Sequence, residues 1–148
     1  MKIKKSLPKF ILSNFLIKNE ITNSILDDFK NIKKISKIVH PLVRKKLNKF
    51  LIRNRKKKMV ILDIPLFIEN NLNKKNDILI YVKARKSDIQ KRLKKRKNYN
   101  KKIIDNLRLI QLPLARKKKI SEFTLINSFN SNKTKKDIIF IKNKILNK

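Results

Sequence analysis

Apolar positions in this chain fall in short organised runs separated by lysine-rich stretches. From Pro8 to Leu26, the residues Phe10, Ile11, Phe15, Leu16, Ile21 and Ile25 predict short helical pieces, broken by the polar stretch Lys18-Asn19-Glu20. Ile32, Ile35, Ile38, Val39, Leu42, Val43, Leu47 and Leu51 then recur at helical spacing and predict a long amphipathic helical region. Pro41 lies within it and is expected to kink that helix or open a new one, since proline removes a backbone donor. Met59 to Ile64 is a continuous apolar run, entered from the basic stretch Arg53 to Lys58 and closed by Pro65. Such a run suits a strand buried on both faces. Asp77 to Val82 repeats the pattern.

Between those two runs, Pro65 to Asn76 reads as a connection containing a helical turn. Ser87 is expected to open a helix, because Gln90 stands three residues later in the spacing of a capping box. Asn98 to Ile120 reads as helical, with Ile103, Ile104, Leu107, Ile110 and Leu114 on one side and Pro113 as an interruption. Phe123 to Ile126 predicts a third short buried strand. A last helix is expected from Lys133 or Thr134 to Leu146, with Ile138, Ile141 and Ile145 on one face. Strands alternating with helices predict an α/β domain, and neither an internal repeat nor a long linker interrupts it.

Composition changes this picture in three ways. Lys plus Arg number 42 against 10 Asp plus Glu, a formal net charge of +32 that ordinarily points to a polyanionic partner. The lysines are spread along the whole chain, however, and Lys, Asn and Ile abound together while Ala occurs only at Ala84 and Ala115. That pattern reads as drift in an AT-rich genome and a solvated surface. Cysteine is absent and there is 1 His, which excludes disulfides, thiolate metal sites and His-cluster metal sites. No apolar run approaches the roughly 20 residues that span a bilayer, and no leader pattern opens the chain, so a cytoplasmic location is expected.

Candidate chemistry concentrates at the end of the first apolar run, in Asp63-Ile-Pro-Leu-Phe-Ile-Glu69, since ligand sites in open α/β sheets lie beyond the carboxyl ends of strands. Asp63 suits either magnesium positioning beside nucleotide phosphates or a hydrogen-bonded loop carboxylate. Glu69 suits pairing with a basic neighbour or capping a helix, and His40 before Pro41 suits packing or capping. Arg92 and Arg96 stand at i, i+4, which on one helix would place both guanidinium groups over one phosphate. In so basic a chain the same spacing also arises on a solvated face. Asn127, closing the third predicted strand, suits either a contact to adenine or strand-end hydrogen bonding.

Taken in order, these segments resemble dephospho-coenzyme A kinases. The run from Asp63 to Glu69 resembles their D-x-P-L-L-x-E segment, with Phe67 in place of the second Leu. His40-Pro41-Leu42-Val43-Arg44 resembles the family's His-Pro segment, and Gln90, Arg92 and Arg96 its Q-x-R-x-x-x-R lid helix. Arg108 and Gln111 resemble its R-x-x-Q pair, Lys117 follows, and Asn127 stands where the family has Asn. The resemblance implies ATP-dependent phosphorylation of the ribose 3'-hydroxyl of dephospho-coenzyme A by a monomer using ATP and Mg2+, without nucleic acid or membrane as partner. It implies substrate binding by His40, Arg44, Pro65, Leu66 and Glu69, and lid or ATP contacts by Arg92, Arg96, Arg108, Gln111 and Asn127. Arg96 and Asp63 become the catalytic candidates, Arg96 through electrostatics and Asp63 through the metal.

The implied fold is an α/β P-loop NTPase domain with a parallel sheet and flanking helices. Residues 8–58 would form the helical substrate region, 59–86 and 121–148 the core, and 87–120 the lid. One departure is plain: the phosphate loop of the family requires G-x-x-x-x-G-K-[ST], and these 148 residues contain no Gly. The fold is therefore expected to be incomplete, lacking its first strand and phosphate loop, and the chain to be inactive alone and marginally stable. A start about 45 to 55 residues upstream, or decay of the gene, would each account for it. Three strands with a gap or an abnormal pairing are expected. A basic nucleic-acid-binding protein, using Arg53 to Lys58 and Lys91 to Lys97, is the alternative reading.

Overall fold

The structure, a computed structural model, describes residues 2–13, 17–97 and 99–147. Phe15, Leu16 and Asn98, which carried part of the expected helical pattern, lie outside the described residues. The elements run α1 (Lys2–Ser6), α2 (Lys18–Asp27), α3 (Asn31–Arg53), β1 (Ile80–Lys83), α4 (Lys86–Lys94), α5 (Lys101–Leu109), α6 (Leu114–Lys119), β2 (Phe123–Ile126) and α7 (Ser131–Leu146). They divide into two compact units, one of Met1–Val60 with Asn100–Leu109 and one of Ile61–Tyr99 with Ile110–Lys148.

The first unit is helical. Ile3, Leu7 and Ile11 are buried at its centre, and Ile21, Ile35, Ile38 and Val39 close over them. The stretch Lys18-Asn19-Glu20 does not break a helix, as its polarity suggested, but forms the first turn of α2. The reason is Glu20, whose Oε1 accepts from the N–H groups of Leu12 (3.2 Å) and Ser13 (3.0 Å) while Oε2 accepts from the Ser13 hydroxyl at 2.7 Å. A carboxylate in a first helical turn also meets the positive end of the helix dipole. Asn31, buried at the start of α3, donates from its amide to the Ser24 carbonyl at 2.9 Å. α3 then runs unbroken for 23 residues with Pro41 inside it. Of the two outcomes expected at Pro41, a new helix does not open there: Ile35, Ile38 and Val39 before it pack on the Ile3–Leu7–Ile11 core, and Leu47 beyond it is buried on the same continuous helix.

The second unit holds a two-stranded parallel sheet in which Ile80 pairs with Phe123 and Lys83 with Ile126. Asn127 prolongs the ladder by donating from its backbone N–H to the Lys83 carbonyl at 2.8 Å. α7 packs on β2 and buries Ile141. Three expectations are corrected here. Met59 to Ile64 forms neither helix nor strand, and Ile61 is 82% exposed, so there are two strands among the described residues and not three. β1 and β2 are not buried on both faces: Ile80 is 43%, Val82 54% and Ile126 53% exposed. Double burial requires layers on both sides of a sheet, and the main helix contact to these strands is that of α7 with β2. The observed α/β arrangement with a small parallel sheet nevertheless agrees with the expected class.

The remaining differences are local. Ser87 makes no capping bond, because α4 begins a residue earlier with Arg85 at its N-cap. The helical stretch expected from Asn98 to Ile120 is present as α5 and α6, with the expected interruption around Pro113. The Oδ1 of Asn100 accepts from Ile103 N–H at 3.0 Å and so fixes the start of α5. α7 starts earlier than expected because Asn130 caps it, accepting from Lys133 N–H at 3.1 Å.

Proline in a helix interior removes one hydrogen bond and costs about 3 kcal/mol. Replacing exposed Pro41 by Ala should therefore stabilise the helical unit by about 1 to 3 kcal/mol, read as a higher urea midpoint followed by helical circular dichroism. An unchanged midpoint would mean that α3 is interrupted at Pro41.

Candidate active site

Glu69 follows a turn that a glycine-free chain builds with difficulty. Leu66 adopts φ 56, a left-handed backbone that is costly for a bulky side chain. Its carbonyl accepts both the backbone N–H of Asn70 (3.0 Å) and the Asn70 amide (2.8 Å), which holds the turn closed. Glu69 emerges with its side chain only 11% exposed. Its Oε1 accepts from the Lys117 ammonium at 2.8 Å and from the Leu112 N–H at 2.9 Å. Of its two sequence readings, the structure selects pairing with a basic neighbour.

Burial raises the Glu69 pKa, but the Lys117 hydrogen bond, the Leu112 N–H and the Lys117 charge outweigh it and hold the carboxyl below its usual range. Asp63 and Pro65, at the entry to the same turn, are exposed. Gln111 is exposed immediately before Leu112.

A second cluster forms where β2 ends. The Asn127 Oδ1 accepts from the Phe129 N–H at 3.0 Å, so the strand-end hydrogen bonding read from the sequence is present. Phe129 takes φ 59, and the Cζ of Arg92 lies 4.2 Å from the centroid of its ring. Arg96, by contrast, lies beyond the end of α4 at Lys94, and its N–H bonds back to Leu93 as a turn. The i, i+4 spacing of Arg92 and Arg96 is therefore not carried by one helix face, which corrects that expectation. Helical geometry stops because Lys95 serves as the C-cap.

Three of the expected residues fall in the helical unit. His40 is half-buried near the middle of α3, and Arg44 is exposed one turn later. Arg108, at the end of α5, donates from Nη1 to Asp105 Oδ1 at 3.2 Å, and Lys101 holds the same carboxylate at 2.7 Å. The Lys101 hydrogen bond, opposed by desolvation and joined by the charges of Lys101 and Arg108, lowers the Asp105 pKa.

No group of three or more His, Cys, Asp or Glu that could cage a metal exists among the described residues. Magnesium beside phosphates keeps most of its waters and uses one or two carboxylates, and Asp63 is an exposed carboxylate of that donor type. An open recess lined by Phe123, Phe140, Lys144 and others contains none of the expected site residues. No helix among the described residues is long and apolar enough to cross a membrane. Phe129 escaped the sequence reading. The available signal was an aromatic residue two positions beyond a strand-closing Asn.

Residues 10–133 match the family model described as dephospho-CoA kinase. The chain is similar to the dephospho-CoA kinase of Wolbachia sp. subsp. Brugia malayi, 29% identical over 126 residues that cover 84% of this chain and 64% of that protein. It is similar to that of Borrelia garinii subsp. bavariensis at 34% identity, covering 75% of this chain and 54% of the relative. The Borreliella burgdorferi enzyme is 32% identical, with 77% and 58% covered. The chain thus spans between 54% and 64% of the length of these curated relatives.

Removing the Glu69 carboxylate leaves a part-buried N–H and ammonium without their acceptor, so Glu69→Ala should lower stability by about 1 to 2 kcal/mol at pH 7 in urea denaturation, and Glu69→Gln by less. Because the folded pKa is depressed, this contribution is present above the unfolded value of about 4.3 and is lost as pH falls through the lower folded value. The stabilities of the wild type and Glu69→Gln should therefore converge in acid. Curves that stay parallel from pH 7 into acid would rule the carboxylate out as the stabilising group.

Proposed function

The chain belongs to the dephospho-CoA kinase family, and from that premise we propose that it serves the ATP-dependent phosphorylation of the ribose 3'-hydroxyl of dephospho-CoA. The observation that carries this reading is the match over residues 10–133, which contains every segment from His40 to Asn127 in family order. In this reaction the 3'-oxygen bonds to the γ-phosphorus as the bond to the β–γ bridging oxygen breaks, with ADP leaving and the hydroxyl proton released. Such transfers have loose transition states, so positioned cations contribute more than covalent chemistry.

In this reading Arg92 and Arg96 neutralise charge on the transferred group from the lid segment. His40, Arg44, Pro65 and Leu66 contact the acceptor. Arg108, Gln111 and Asn127 contribute to the nucleotide side, and Asp63 would hold magnesium, which supplies charge neutralisation when bound. Glu69 contributes indirectly, since its carboxylate oxygen is engaged by Lys117 and Leu112. These 148 residues contain no glycine with which to build the phosphate cradle. A backbone with a Cβ at every position does not approach phosphates as that loop does. We therefore assign to this polypeptide the acceptor and lid functions of the kinase and no transfer on its own.

Titration calorimetry with dephospho-CoA and a coupled assay for ADP test the assignment on the purified chain. Dephospho-CoA should bind, Arg44→Ala should weaken binding about tenfold or more through loss of one charge-assisted contact, and no ADP should form above background. Sustained ATP-dependent turnover by the 148 residues would refute the missing donor function. Salt-sensitive RNA binding with no response to dephospho-CoA would refute the acceptor function and favour a nucleic-acid partner.

A further inference from the structure

Arg92 has an unusual environment for a cation in a chain of net charge +32. The ion pairs among the described residues join Lys101 and Arg108 to Asp105 and Lys117 to Glu69, and none includes Arg92. Its partner is the face of the Phe129 ring, 4.2 Å from the guanidinium carbon. The ring reaches that place through a sequence of constraints. Asn127 is fixed to the sheet by its N–H bond to the Lys83 carbonyl at 2.8 Å. The Asn127 side chain then captures the Phe129 N–H at 3.0 Å. Phe129 is thereby held at φ 59, a conformation that a large side chain adopts only when its surroundings impose it.

The Arg92 side chain takes part in none of the hydrogen bonds or ion pairs among the described residues, so its N–H groups can serve a second partner while the ring holds its guanidinium carbon. Those donors form a rigid fork that matches two oxygens of a phosphate, a geometry that lysine cannot reproduce. The stack sits at the carboxyl end of β2, where open α/β sheets place their ligands. The geometry points to Phe129 as a positioning residue: its ring holds the Arg92 fork ready for the phosphates of a polyphosphate ligand. Asn127 sets the ring and contributes to the nucleotide side through this arrangement. The inference deepens the kinase reading and rests on it for the identity of the natural ligand, a nucleoside polyphosphate.

Inorganic tripolyphosphate is the probe, because it carries the phosphates without a base that could stack on the ring. The full 148-residue chain is titrated at physiological salt, where diffuse binding to surface lysines is screened. The Arg92 Nε–H resonance is followed by nuclear magnetic resonance, so that the readout is local to this side chain. Tripolyphosphate should shift that resonance in the wild type. Phe129→Leu, which keeps apolar bulk without the ring, should weaken the local affinity about fivefold, the upper size that an exposed cation–ring contact supports. Phe129→Tyr should restore it to within about twofold.

Arg92→Lys leaves the loop untouched and should also lose tripolyphosphate affinity about tenfold, here by competition against the wild type, because it retains charge without the fork. This arm remains decisive if Phe129→Leu does not fold. An Arg92 resonance that tripolyphosphate does not move, or equal affinity in Phe129→Leu or Arg92→Lys, overturns the inference. A Phe129-dependent response at Arg92 in a chain that ignores dephospho-CoA would leave the inference standing and sink the kinase reading instead.

Discussion

The second unit depends on one carboxylate oxygen. Glu69 Oε1 takes the Lys117 ammonium and the Leu112 N–H together, and so ties the turn after Leu66 to the start and the body of α6. Leu112 lies between α5, which ends at Leu109, and α6, which starts at Leu114, so its N–H finds its acceptor in Glu69 and not within a helix. A charge-assisted bond of low exposure is stronger than a surface ion pair, and it joins positions 43 apart in sequence.

Scarcity of acid and absence of glycine shape the rest. Against 42 basic residues the chain has 10 acidic ones, and several of these are spent on backbone geometry. Glu20 closes the loop before α2, Asp28 accepts the Lys30 N–H at 2.8 Å, and Asp77 accepts the Lys74 N–H at 2.8 Å. Asparagine takes the same work further. Asn100 and Asn130 cap helices, Asn70 closes a turn, and Asn127 sets the loop after β2. Where left-handed backbone is needed, Leu66 and Phe129 adopt it in place of glycine. Both positions flank candidate site residues, so the strain is concentrated where side chains must be aimed.

The contrast between the two candidate clusters follows from this. Glu69 is committed to structure on its engaged oxygen, whereas Arg92 lies over an aromatic ring and enters no ion pair among the described residues. A ring can orient a cation without neutralising it, which a carboxylate cannot do. In a chain with so few acids, aromatic support places Arg92 without spending a carboxylate on it.

The sequence by itself was enough to recognise the family, whose model matches residues 10–133, and it determined the α/β class, the helical character of α3 and the position of β2. Those features rest on apolar periodicity and motif spacing, which are properties of neighbours along the chain. Tertiary structure alone decided that Met59 to Ile64 forms no ladder, that both strands stay half-exposed, and that Lys18-Asn19-Glu20 begins a helix. It also decided the partners of Glu69 and Arg92. A strand requires a second backbone to satisfy its hydrogen bonds, and a charge finds its partner across space, so neither is written in the local pattern of residues.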